Sequence, residues 1–117
     1  RNEVDVLFVS LHFGEEYQKE PNSMQQLLSK TAIDAGADLV IGHHPHVVQP
    51  VEYVCTQGSH ICGWIAYSLG NFVFDQGFSS ETMEGLLLEV KIEGKQITQV
   101  IPRVIHINSF FQPELQN

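Results

Sequence analysis

Positive charge is scarce in this chain. Six lysines and arginines stand against fourteen aspartates and glutamates, a formal net charge of −8 over 117 residues. That balance argues against nucleic-acid backbones and anionic membrane surfaces as partners, because both recruit clustered cations. No apolar run approaches the roughly 20 residues needed to cross a bilayer. Cysteine occurs only at Cys55 and Cys62, too few for a zinc ribbon or a disulfide framework. Internal repeats and low-complexity stretches are missing, which sets aside solenoids and biased tails. An initiator methionine and a signal peptide are missing too. Arg1-Asn2-Glu3 leads straight into a strand-like run, so the chain reads as a segment of a longer protein, and its lack of a targeting signal says nothing about location.

What is present suffices for a core. Apolar residues make up 43% of a chain about one domain long. Val4 to Ser10 is nearly continuous and apolar, the pattern of a strand covered on both faces. A polar loop follows, Leu11-His12-Phe13-Gly14-Glu15-Glu16-Tyr17. Beyond Pro21 a helix is expected. Asn22 or Ser23 can cap it, and Ser23 with Gln26 fits a capping box. Met24, Leu27, Leu28, Ala32 and Ala35 recur at helical spacing as its apolar face. Gly36 ends it in the left-handed conformation, and Leu39-Val40-Ile41 reads as a second buried strand.

The second half is antiparallel in character. Val51 to Val54 and Trp64 to Ser68 read as strands around a hairpin whose turn at Gly58-Ser59 would set Cys55 opposite Cys62. A cross-strand disulfide in an oxidising compartment and two neighbouring reduced thiols both fit. Phe72-Val73-Phe74 reads as a further strand. Leu86, Leu88, Val90 and Ile92 alternate onto one face; Gly94-Lys95 turns the chain, and Ile97 to Ile107 returns with Pro102 at an edge or bulge. The last ten residues read as loosely held. The fold class is α/β (α+β): a β-α-β unit followed by antiparallel strands, in one domain.

Chemistry concentrates at Gly42-His43-His44-Pro45-His46, which holds three of the six histidines. Neutral imidazole ligates zinc, manganese and iron. His44 and His46 project to one side of an extended backbone and can grip one ion; with a turn at Pro45 they can address two ions roughly 3.5–4 Å apart. In the extended case His43 points away from the other two, suited to contacting substrate or to supporting a ligand from behind. A right-handed crossover makes the two strands parallel, so the loops carrying His12 and His43–His46 reach the same sheet edge, where open α/β sheets bind ligands. Glu15 and Glu16 can serve as acid/base groups, as ligands or as partners orienting an imidazole; plain surface acids are the competing reading. Asn71 can donate to an anionic oxygen or hold a loop. Asp38 and Asp75 read as turn acids, His60 and His106 as structural or solvent-facing. Tyr17, Trp64 and Tyr67 can line a pocket, but aromatics at strand spacing are more often core. No Asp-x-His or Gly-Asp pair occurs to supply bridging carboxylates, so a two-metal site here is incomplete.

Three stretches, Ser10 to Tyr17, Ala35 to Pro50 and Tyr67 to Asp75, together resemble the CapA family of bacterial capsule and poly-γ-glutamate biosynthesis proteins, relatives of the calcineurin-type metallophosphoesterases. The resemblance covers roughly residues 4 to 92. It implies the C-terminal part of a two-sheet α/β sandwich. It also implies two divalent ions (manganese, zinc or iron) in the intact protein, with His12 and His44 on one and His46 on the other. His43, Glu16 and Asn71 are the candidate catalytic groups. An extra residue separates Gly42 from His44, relative to the family's Gly-His-x-His. The implied substrate is a polyanionic polymer or a phosphoester, in the cell envelope. A non-catalytic polymer-binding or assembly module is the alternative. The segment alone is expected to hold metal weakly or not at all, and an open sheet edge to permit self-association.

Overall fold

The computed structural model describes residues 2–58 and 60–116. Its first sheet is built on the expected crossover. Strand β1 (Phe8–His12) lies parallel to β2 (Leu39–His43), with α1 (Ser23–Asp34) between them in sequence. A hairpin of β3 (Val51–Cys55) and β4 (Cys62–Ala66) completes the sheet in the order β1-β2-β4-β3, with β4 parallel to β2. Cys55 and Cys62 are register partners joined by a disulfide. The hairpin turn expected at Gly58-Ser59 falls partly outside the described residues. A second, antiparallel sheet holds β5 (Glu84–Glu93), β6 (Gln96–Ile107) and β7 (Pro113–Leu115).

Several elements differ from expectation. The first strand starts at Phe8 rather than Val4. The Asp38 carboxylate accepts from the Leu7 amide at 2.7 Å, and the Leu7 carbonyl accepts from the Asp38 amide at 2.9 Å. The chain before β1 is thereby fastened to the turn after α1 instead of running on as a strand. His12 accordingly ends β1 rather than lying in the following loop. Phe72-Val73-Phe74 is no strand: all three side chains are exposed in an irregular loop. The last residues are not loose. Asn108 ties a turn through its side chain and β7 pairs with Ile105–Ile107. Pro102 lies where β6 has a neighbour on one side only, which spares its missing donor.

The helix is capped one residue earlier than the favoured box. Asn22 accepts from the Gln25 amide while Gln25 accepts from the Asn22 amide, both at 2.9 Å. Gly36 follows with φ of +110°, as expected. Its packed face is Gln25, Ser29 and Ile33; Met24, Leu27 and Leu28 are exposed. Apolar periodicity therefore marked a face that these residues leave open, and the buried face carries two polar side chains. Ile33, Ala37, Val40, Ile65 and Tyr67 form the core between helix and sheet. Between the two sheets lies an open apolar cleft of about 410 Å³, lined among others by Phe8, Leu39, Ile41, Leu86, Leu88 and Val90. No helix is long and apolar enough to cross a membrane among the described residues.

Candidate functional site

The carboxyl ends of three parallel strands meet at one place. β1 delivers His12, β2 delivers His43 and the loop to His46, and the chain leaving β4 delivers Asn71. His12 and His43 are direct register partners. They sit on the face toward the second sheet, and His43 lines the apolar cleft. Burial holds the His43 imidazole below its ordinary pKa, and the nearby His12 adds like-charge repulsion.

Past His43 the backbone turns instead of staying extended. His44 has φ of +107° and His46 +61°, and Tyr17, opposite them, has +65°. Such left-handed residues without glycine's freedom are costly and mark sites where surrounding structure dictates the conformation. The dictating bonds are visible. The Tyr17 amide donates to the Pro45 carbonyl at 2.8 Å, Phe13 to His43 at 3.0 Å, and Leu69 to Gly42 at 3.2 Å. Gly42 is required for this approach: a Cβ there would lie 1.9 Å from the Tyr67 carbonyl oxygen. At the far end of the loop Gln49 is buried. Its amide oxygen accepts from Gln25 at 2.7 Å, and its nitrogen donates to the Gln18 carbonyl at 2.8 Å and the Glu20 carbonyl at 3.3 Å. The loop is thus tied to the helix and to the chain entering it.

The imidazoles cluster in a row. Ring centroids of His12 and His44 are 4.8 Å apart, and those of His44 and His46 5.9 Å. His46 also packs against Phe74, and Tyr17 against Phe78. The His46 Nδ1 lies 2.9 Å from the Asn71 Oδ1. Asn71 is buried, and its Nδ2 donates to the Thr82 carbonyl at 3.0 Å and to Gln76 at 3.1 Å. Gln76 donates onward to the Tyr17 hydroxyl at 3.3 Å. The neighbouring Glu16 carboxylate is the main reason that the pKa of the Tyr17 phenol is raised. Glu16 therefore engages Tyr17 rather than an imidazole. His60 and His106 are exposed elsewhere, and Asp75 is an exposed loop residue.

The donor chemistry of this row suits a divalent ion, but the row is not a finished cage. No group of three histidine, cysteine, aspartate or glutamate side chains converges to hold a metal among the described residues. The imidazoles fit as one part of a metal centre that lacks carboxylates, and no catalytic step follows from them alone. Gln25, Gln49, Gln76 and Thr82, which fasten the site, went unforeseen. Glutamines carry no spacing signal, and their partners lie up to 59 residues away in sequence.

Comparison with known proteins follows the same outline. Residues 1–76 match the family described as "Bacterial capsule synthesis protein PGA_cap". The chain is 42% identical over 104 residues to "Capsule biosynthesis protein CapA" of Bacillus anthracis, covering 87% of this chain and 24% of that protein. It is 41% identical over 108 residues to "PGA biosynthesis protein CapA" of Bacillus subtilis, covering 91% of this chain and 27% of that protein. The chain spans about a quarter of the length of these curated relatives.

Proposed function

From the chain's membership of the bacterial capsule synthesis PGA_cap family, we propose that it serves in the biosynthesis of a capsule polymer of the poly-γ-glutamate type, and that its histidine row is the imidazole part of a metal-dependent hydrolase centre. The observation that carries this reading is the delivery of His12, His44 and His46 to one edge by parallel strands. His12 and His44 would share one divalent ion and His46 would hold a second, with manganese, zinc and iron the candidates. Such ions polarise a phosphoryl or acyl oxygen and make bound water acidic. His43, its pKa lowered by burial, would meet substrate at the mouth of the cleft, and the carboxylate ligands would come from elsewhere in the protein. The substrate class is a polyanionic polymer or a phosphoester. The Cys55–Cys62 disulfide supports an oxidising setting and hence the cell envelope.

Metal analysis of the full-length protein against a His44→Ala/His46→Ala double variant tests the centre. Metal retained in the native protein and lost in the variant is expected; equal metal in both sinks it. Among the described residues no third ligand converges on a pair, which favours one other reading, a non-catalytic module that binds the polymer. Hydrolysis of a chromogenic phosphodiester by the full-length protein, abolished in the double variant, would decide for the enzyme.

A further inference from the structure

We infer that Asn71 is a positioning residue that fixes the tautomer of His46, placing the ring proton on Nδ1 and leaving the lone pair of Nε2 for whatever the site binds. The argument rests on two groups that can only accept. The first is the Thr82 carbonyl, 3.0 Å from one end of the Asn71 side chain. A carbonyl has no proton to give, so the atom facing it is the Asn71 NH2 group. The other end, 2.9 Å from His46 Nδ1, is therefore the oxygen. Since that oxygen cannot donate either, the proton between them belongs to the imidazole.

The second fixed point lies at the far end of the chain of bonds and leads to the same sense. The Tyr17 hydroxyl keeps its proton and turns it toward the neighbouring Glu16 carboxylate, which can only accept. The Tyr17 oxygen then accepts from Gln76 Nε2, so Gln76 turns its Oε1 to Asn71 and receives the second Asn71 N–H at 3.1 Å. Every donor in Glu16–Tyr17–Gln76–Asn71–His46 is thereby assigned without conflict. Glu16 acts here as the distant anchor of a relay of bonds.

The arrangement has a chemical purpose that a structural bond would not require. Free imidazole favours the Nε2–H tautomer, which would turn a proton, not a lone pair, toward the ligand side. A neutral amide reverses that preference without adding charge, and a hydrogen bond to the remote ring nitrogen also orients the ring and strengthens its basicity. What the Nε2 meets rests on the proposed metal centre; the tautomer does not.

The test is histidine nitrogen spectroscopy on the 15N-labelled full-length protein, stripped of metal with a chelator, above the imidazole titration range. The His46 signals are identified by their loss in His46→Gln. His46 is expected to carry its proton on Nδ1. In Asn71→Leu it is expected to shift toward Nε2–H while the other histidines keep their patterns, and the affinity for added zinc falls about 10–100-fold. A native His46 protonated on Nε2 overturns the inference, as does an unchanged His46 tautomer in Asn71→Leu. If Asn71→Leu does not fold, the native spectrum decides alone. Absence of metal from the full-length protein with the Nδ1–H tautomer intact would defeat the metal centre and leave Asn71's role standing.

Discussion

Replacing Gln49 with leucine asks how firmly the histidine loop is fastened. Gln49 is 2% exposed, and three groups depend on it: the Gln25 amide at 2.7 Å and the Gln18 and Glu20 carbonyls at 2.8 and 3.3 Å. Leucine fills a similar volume and makes none of these bonds. Gln18 and Glu20 are exposed residues whose carbonyls water can satisfy, so the buried Gln25 amide is the group effectively stranded. A buried polar group left without a partner costs about 1–3 kcal/mol, and the stranded Gln25 amide sets the loss in that range. That is a large share of the ~5–15 kcal/mol that holds a typical domain. Denaturant unfolding followed by circular dichroism measures it, with an unchanged slope showing that the unfolded state is the same. The double variant Gln25→Leu/Gln49→Leu removes both ends of the shortest bond. Its loss is expected to fall short of the summed single losses by at least about 1 kcal/mol, as for directly bonded residues. A Gln49→Leu loss below about 1 kcal/mol, or strict additivity in the double variant, would refute the reasoning.

Three further outcomes are expected. Gly42→Ala drives a Cβ to within 1.9 Å of the Tyr67 carbonyl oxygen, and since backbone cannot yield as a side chain does, about 3 kcal/mol is lost in a thermal melt, at the upper end of overpacking costs. Ser29→Ala stabilises by roughly 1 kcal/mol in the same assay: the Ser29 hydroxyl is buried without a partner among the described residues, and alanine is the better helix former. The lowered pKa of His43 means that the unfolded chain binds the proton more readily than the folded one. Its contribution is therefore complete above the ordinary histidine pKa of about 6.5 and lost as pH falls below it toward the depressed folded value. His43→Gln should flatten that part of the stability–pH curve; an equally steep curve in the variant speaks against the assignment.

The crossover, the hairpin and the histidine loop were legible because each has a local signature. Leu39-Val40-Ile41 is a short apolar run, Gly36 a helix stop, and Cys55 and Cys62 lie symmetrically about a turn. The shortfalls share one cause, long-range contact overriding local pattern. Val4-Asp5-Val6 has strand composition, yet Asp38 holds the chain at Leu7. Met24, Leu27 and Leu28 have the right spacing for a core face, but Gln25 and Ser29 are the residues turned inward because Gln25 reaches Gln49. Phe72 to Phe74 look like a strand, but the buried Asn71 just before them is bound to Thr82 and His46, which pulls the chain out of any sheet. At the site, the row of imidazoles was foreseen from spacing and topology. The left-handed backbone at His44 and His46 and the role of Glu16 were not, since both depend on Tyr17 and Gln76 arriving from other loops.

The seam between the two sheets runs through two glycines. Gly70 and Gly85 form an antiparallel bridge, the Leu86 amide donates to the Leu69 carbonyl at 2.7 Å, and a Cβ on Gly85 would lie 1.9 Å from the Asn71 carbonyl oxygen. Bare backbone against bare backbone leaves no flexible side chain to absorb a displacement. The seam therefore acts as a splint set against the turn that holds His46: the second sheet cannot slide along the first without carrying Asn71 with it. The alignment of the site and the stacking of the sheets thus share one set of backbone contacts.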